Sequence, residues 1–188
     1  MRRSRFVALC LLGLATAGCG YNRLQTLDEQ VNQAQSQIKV ALQRRADLIG
    51  NLVATVQGIA HQEDTVFISV AKARSTLNGA VQSNDLQQMS AANAAMNAPL
   101  ARLMAVAEAY PTLKSSDNFK QLQDQLEGTE NRIATARTDY NTAVETFNAS
   151  IRTFPTNLTA KMFGLSKARD YFDLTTPGAA NAPVVKFN

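Results

Sequence analysis

Residues Asn118 to Phe154 read NFKQLQDQLEGTENRIATARTDYNTAVETFNASIRTF. Counted in sevens from Phe119, one column is Phe119, Leu126, Ile133, Tyr140, Phe147 and Phe154. A second column, three places on, is Leu122, Thr129, Ala136, Ala143 and Ser150, small or apolar and never charged. Apolar residues recurring in this way mark a long amphipathic helix with a coiled-coil-like seam. Pro155 cannot continue a helix, so the seam is expected to end at Phe154. Ser116-Asp117 is expected to cap its start.

Working outward, a second periodic stretch runs from Leu24 through Val31, Ile38, Arg45, Leu52, Ile59 and Val66 to Ala73. Its partner column begins Leu27, Ala34, Ala41, Leu48, then turns polar at Thr55 and Gln62 while the neighbouring column becomes apolar. A stripe drifting by one place is what a period of 3.6 shows on a template of 3.5. The stretch reads as one helix reaching Leu77, with a kink or break expected at Gly50. Asn78-Gly79 reads as a stop, and Ser83-Asn84-Asp85 as the next N-cap. A third helix spans Leu86, Met89, Ala92, Asn93, Met96, Leu100, Leu103, Ala107 and Tyr110, interrupted or kinked at Pro99. A shorter apolar piece, Leu158 to Leu165, follows Pro155.

The chain has 188 residues, 45% of them hydrophobic, with no Trp and few Gly or Pro. This is one domain's worth of sequence with enough apolar surface for a core, and its Ala, Gln, Leu and Asn content favours an all-α protein. The formal charge of +4 is concentrated at the start: without Arg2, Arg3 and Arg5, 16 basic residues face 15 acidic ones. No basic stripe with interleaved aromatics remains, so no nucleic-acid partner is expected.

Arg2, Arg3 and Arg5 precede the uncharged run Phe6 to Ala17 and then Gly18-Cys19-Gly20, the layout of a signal peptide. Twelve apolar residues in a helix reach about 18 Å, short of a ~30 Å hydrocarbon core, so a spanning helix is the weaker reading. ATAG-Cys19 resembles the lipobox of bacterial lipoproteins, which implies cleavage before Cys19 and acylation of its thiol and new amine. Thr16 departs from the usual Leu there. Two or three acyl chains give stable anchoring where one is marginal. Gly20 after the Cys, rather than Asp, implies the periplasmic face of the outer membrane in a cell with two membranes. Cys10 falls in the leader, leaving the mature chain one cysteine and no internal disulfide. The expected layout is residues 1–18 as lipoprotein signal peptide, 19–173 as the bundle and 174–188 as a disordered tail.

Three blocks resemble the LemA family: QRRADLIGNLVATVQGIAHQE, AYPTLKSSDNFKQLQDQLEGTENRIA and YNTAVETFNASIRTFPTNL, with the ending APVVKF. The family usually has Pro at the place of Gly50, and an aromatic near Ala34 to Gln37 that this chain lacks. The resemblance implies an antiparallel bundle of about four long helices on a membrane anchor. It supplies no catalytic residue. Genes of the family often neighbour those of membrane metalloproteases, which implies an envelope protein, and a membrane protease among the candidates, as partner.

The chemistry of an active site is missing from the pattern. His61, the one histidine, has Gly58 where a Glu-x-x-His motif needs Glu. No zinc set, Gly-x-Ser-x-Gly elbow or phosphate-cradling loop occurs. No catalytic, cofactor or metal residue is therefore expected. Arg45, in an apolar column, is expected to pair with Glu130 beside the organising seam and fix helix register. Tyr140-Asn141 and Phe147-Asn148 repeat at a spacing of seven, a candidate strip for contact with a partner helix or extended peptide. The reading is an anchored scaffold or interaction protein of the cell envelope. The alternatives are a carboxylate hydrolase on Asp124, Glu127 and Glu130, or a subunit of a protease complex, and a cell-wall sensor using Arg44, Arg45 and Asp47.

Overall fold

A computed structural model describes residues 2–60 and 62–172, with side chains from Gly20 onward. His61 and the tail 174–188 lie outside the described residues, as do the side chains of the signal-peptide stretch and of Cys19. Among the described residues there are six helices and no strand: α1 (Arg2–Gln57), α2 (Asp64–Ser83), α3 (Leu86–Glu108), α4 (Pro111–Lys114), α5 (Asp117–Ser150) and α6 (Thr156–Met162). The fold is an all-α helical bundle.

The helix expected from Leu24 to Leu77 is two helices. The break comes at 58–63, not at Gly50, because the stripe that serves α1 has faded there: Thr55 and Gln62 occupy its columns and Ile59 is exposed. α2 buries a stripe of its own, Phe67, Val70, Leu77, Ala80 and Val81. It folds back antiparallel on α1. Arg74 Nε donates to the Ala46 carbonyl at 2.8 Å, and the two residues lie at similar distances from the turn. Gly50 stays inside α1, and its missing side chain is what lets this approach happen. A Cβ there would stand 2.8 Å from Arg74 Cζ.

α2 also runs past Asn78-Gly79 and stops at Asn84, which takes the left-handed cap conformation with φ 59°. A short polar side chain tolerates that geometry. Asp85 then caps α3 by accepting from the amides of Gln87 and Gln88, at 2.9 and 3.1 Å. α3 continues through Pro99 to Glu108 without interruption. Ser116 Oγ accepts the Phe119 amide at 3.3 Å and starts α5.

α5 ends at Ser150, one turn before the expected Phe154, whose ring is 79% exposed. Pro155 disfavours helical backbone in the residue before it as well as lacking its own N–H, so the last turn opens early. The other five members of the column, Phe119, Leu126, Ile133, Tyr140 and Phe147, are all buried. Each fully buried large apolar side chain contributes about 1.5–3 kcal/mol of transfer free energy.

The chain forms two compact units, and α1 and α5 contribute to both. One contains residues up to 37 together with 136–171; the other contains 38–135. In the second, the ends of α1 and α5 that fall within it join α2, α3 and α4 around Ile38, Leu42, Ile49, Leu52, Phe67, Val70, Met89, Met96, Leu103, Leu113 and Phe119. In the first, Leu24, Val31, Tyr140, Val144 and Phe147 are buried, and α6 and the non-helical segment after it belong to the same unit.

The Gly50 slot gives a test. Gly50→Ala should gain helix propensity of about 1 kcal/mol only where the guanidinium has been removed, as in Arg74→Ala. In the parent chain, displacement of Arg74 from the Ala46 carbonyl should offset most of that gain. Urea unfolding of both single variants and the double variant measures the coupling.

Candidate functional site

Polar side chains converge at two places, one in each unit. In the second unit α1 directs Arg45 inward, where only 2% of it remains exposed. Its guanidinium meets α3 and α5 together. One terminal nitrogen donates to Asn93 Oδ1. The other donates to Asn97 Oδ1 at 3.0 Å and lies 2.6 Å from Glu130 Oε1. The structure thus brings Arg45 and Glu130 together, in company with two asparagines that the heptad reading did not assign a role. Asn93 and Asn97 are four apart on α3, so both amides reach the same guanidinium. The signal was present in the sequence, since Asn93 stands in the apolar column of α3.

The carboxylates of the hydrolase alternative do not converge. Asp124 and Glu127 are exposed, while Glu130, at 45% exposure, is engaged with Arg45. Asp124 instead lines an open groove of about 340 Å³ with Arg44, Gln121, Gln125, Gly128, Thr129 and Arg132. The sensor trio separates as well. Arg44 and Asp47 face outward, Asp47 accepting from Gln43 at 3.1 Å, and Arg45 faces inward. Among the described residues no group of three metal-ligating side chains occurs, and no helix is long and apolar enough to cross a membrane.

In the first unit, the strip proposed for a partner is occupied by the chain itself. Tyr140, Phe147 and Asn148 are buried and Asn141 is half-buried. The Asn148 amide pairs with the backbone of Arg169 in both directions: Nδ2 donates to its carbonyl at 2.9 Å, and Oδ1 accepts its N–H at 2.8 Å. One residue on, the Asp170 carbonyl accepts from Tyr140 Oη at 2.9 Å. Arg169 then reaches across to α1, with Nη2 2.7 Å and Nε 3.2 Å from Asp28 Oδ1. Residues 169–170, returning along α5 after the Pro155 turn, fill the place that the heptad reading left for a partner. Nothing in the heptads marks Asp28 or Arg169, because the pairing depends on where that irregular segment comes to rest.

Burial raises the Tyr140 phenol above its ordinary value of 10.0, with nearby Arg169 opposing the shift and Asp170 adding to it. A shallow groove of about 430 Å³ lies on the same unit, lined by Gln30, Gln33, Ala34, Gln37, Asp139, Thr142, Ala143 and Thr146. It coincides with the place where this sequence lacks an aromatic, and Ala34 and Ala143 are too small to fill it.

The LemA family matches residues 34–187. The chain belongs to the LemA family. Relatives of this LemA protein include magnetosome protein MamQ 2 and magnetosome protein MamQ 1 of Paramagnetospirillum magneticum. Each is 31% identical over 195 residues, covering 92% of this chain and 71% of the relative. Magnetosome protein MamQ of Magnetospirillum gryphiswaldense is 29% identical over 175 residues, covering 81% of this chain and 64% of the relative. The matched span takes in both the Arg45 cluster and the Tyr140–Asn148 clasp of the LemA chain.

Two measurements probe these clusters. Arg45→Met should destabilise the LemA chain by about 3 kcal/mol, since it leaves Asn93 and Glu130 without the cation. In a cycle with Glu130→Gln, chemical unfolding should show a coupling of about 1–3 kcal/mol. Tyr140→Phe should cost about 1 kcal/mol through the lost bond to Asp170. Because the folded phenol is the more reluctant acid, its contribution is complete below pH 10.0 and is lost as pH rises through the folded value. Tyr140→Phe should accordingly flatten the alkaline limb of a stability–pH profile.

Proposed function

We propose that this LemA-family chain is a lipid-anchored, non-catalytic scaffold of the bacterial cell envelope. The observation that carries the reading is the N-terminal pattern: Arg2, Arg3 and Arg5, the apolar run Phe6 to Ala17, then Gly18-Cys19. The helix that follows enters the folded body without a linker, Leu24 being buried already. In this reading Cys19 carries the acyl chains, and in a cell with two membranes Gly20 directs the protein to the periplasmic face of the outer one. The relatives are named for a cellular assembly, the magnetosome, rather than for a reaction, which suits a binding role. The partner class is an envelope protein, with membrane proteases the first to examine.

The two polar clusters are consumed in the chain's own packing, which also favours binding over catalysis. Mass spectrometry of the mature N-terminus should find residue 19 as the first, bearing diacylglycerol and an amide-linked acyl chain. Cys19→Ala should abolish that modification and release the processed protein from membranes. An unmodified Cys19 in a membrane-bound chain overturns the lipid anchor, and crosslinking that recovers no envelope protein overturns the scaffold.

A further inference from the structure

α6 is built the wrong way round for a helix that only closes a core. Ala160 is its buried residue. Leu158 and Met162, four apart and so on one face, are 56% and 76% exposed, and Phe154 precedes them at 79%. This apolar face lies beside the point where the chain leaves for its N-terminus. A Cβ on Gly20 would stand 3.2 Å from Thr159 Oγ1, and the Tyr21 and Phe163 rings pack with centroids 4.5 Å apart. The charges that flank it along the chain have one sign. Arg152, Lys161 and Lys167 are exposed, and no acidic residue occurs from Ile151 to Arg169.

We propose that α6 with Phe154 is a lipid-contacting foot, seated in the headgroup region of the membrane immediately beside residue 19. The inference rests on the anchored reading above and adds a second, non-covalent contact to it. Apolar groups flanked by Lys and Arg are what an anionic bilayer surface recognises, and a single weak insertion becomes effective when an anchor already holds it in place. Packing of Gly20 and Tyr21 against α6 fixes the distance: whatever membrane holds residue 19 meets Phe154, Leu158 and Met162 as well. Membrane seating also accounts for three large apolar side chains left in water within nine residues of chain.

The parent chain contains no Trp, so a single introduced indole reports one position. The full chain, matured in its own cell and reconstituted into vesicles of phosphatidylethanolamine and phosphatidylglycerol, would carry Met162→Trp, Leu158→Trp or, as control, Glu145→Trp. Flotation reports the anchor, while quenching by brominated acyl chains reports the foot. Residues 158 and 162 are expected to show blue-shifted emission and quenching about twofold or more above the control, as for interfacial side chains. Arg152→Glu with Lys161→Glu should reduce that quenching without preventing flotation. Chains that float while indole 162 stays as water-exposed as indole 145 overturn the foot and leave the anchor standing. Shielded indoles insensitive to brominated lipid also overturn it, since the face is then covered by a second copy or by residues 173–188. Chains that do not float overturn both.

Discussion

A guanidinium held away from water is the constraint that the second unit is arranged around. Moving a cation out of water costs several kcal/mol even after relaxation, so Arg45 is tolerable only where acceptors surround it. Two helices supply them, Asn93 and Asn97 from α3 and Glu130 from α5, while Arg45 itself belongs to α1. Apolar seams alone leave a helix free to slide by a heptad at modest cost, because one Leu resembles the next. A planar donor facing two amides and a carboxylate has only one satisfactory position. The Leu, Ile and Met side chains around it provide most of the burial; the Arg45 cluster decides which burial occurs.

The first unit solves the same problem with backbone. Its α1 and α5 segments meet few other helices, and α6 is only seven residues long. An irregular segment therefore takes the place of a third long helix. Asn148 offers Arg169 the donor and acceptor a neighbouring strand would offer, and Tyr140 takes the next carbonyl. Buried main-chain groups must be paired, and here side chains do it. The Arg169–Asp28 pair then ties the segment to α1 as well.

What could be read beforehand follows from periodicity. Five of the six residues in the Phe119 column are buried, and so are Leu24, Val31, Ile38 and Leu52. The family could be read as well, because its blocks are long. Element ends were harder. Gly50 and Asn78-Gly79 look like interruptions in a one-dimensional pattern, yet the first receives Arg74 from another helix and the second is carried through by the buried Leu77, Ala80 and Val81. Phe154 satisfied the heptad but lies beyond the last turn that Pro155 permits. Of the polar residues, Arg45 and Glu130 could be suspected because a charge in an apolar column demands an answer. Asp28 and Arg169 carry no such mark. Their meeting depends on a loop path that no short-range pattern encodes.

The way the two units divide the sequence bears on how the protein is made. The second unit is drawn mainly from one unbroken stretch, 38–135, which precedes the rest of α5 in the chain. The first joins the earliest folded residues to some of the last, and its clasp waits for Arg169 and Asp170. Synthesis from the N-terminus therefore imposes an order. The stripe of Leu24, Leu27 and Val31 emerges first and is covered last, remaining greasy and unclaimed while the second unit closes. That waiting interval is when a holding chaperone would have the most to grip.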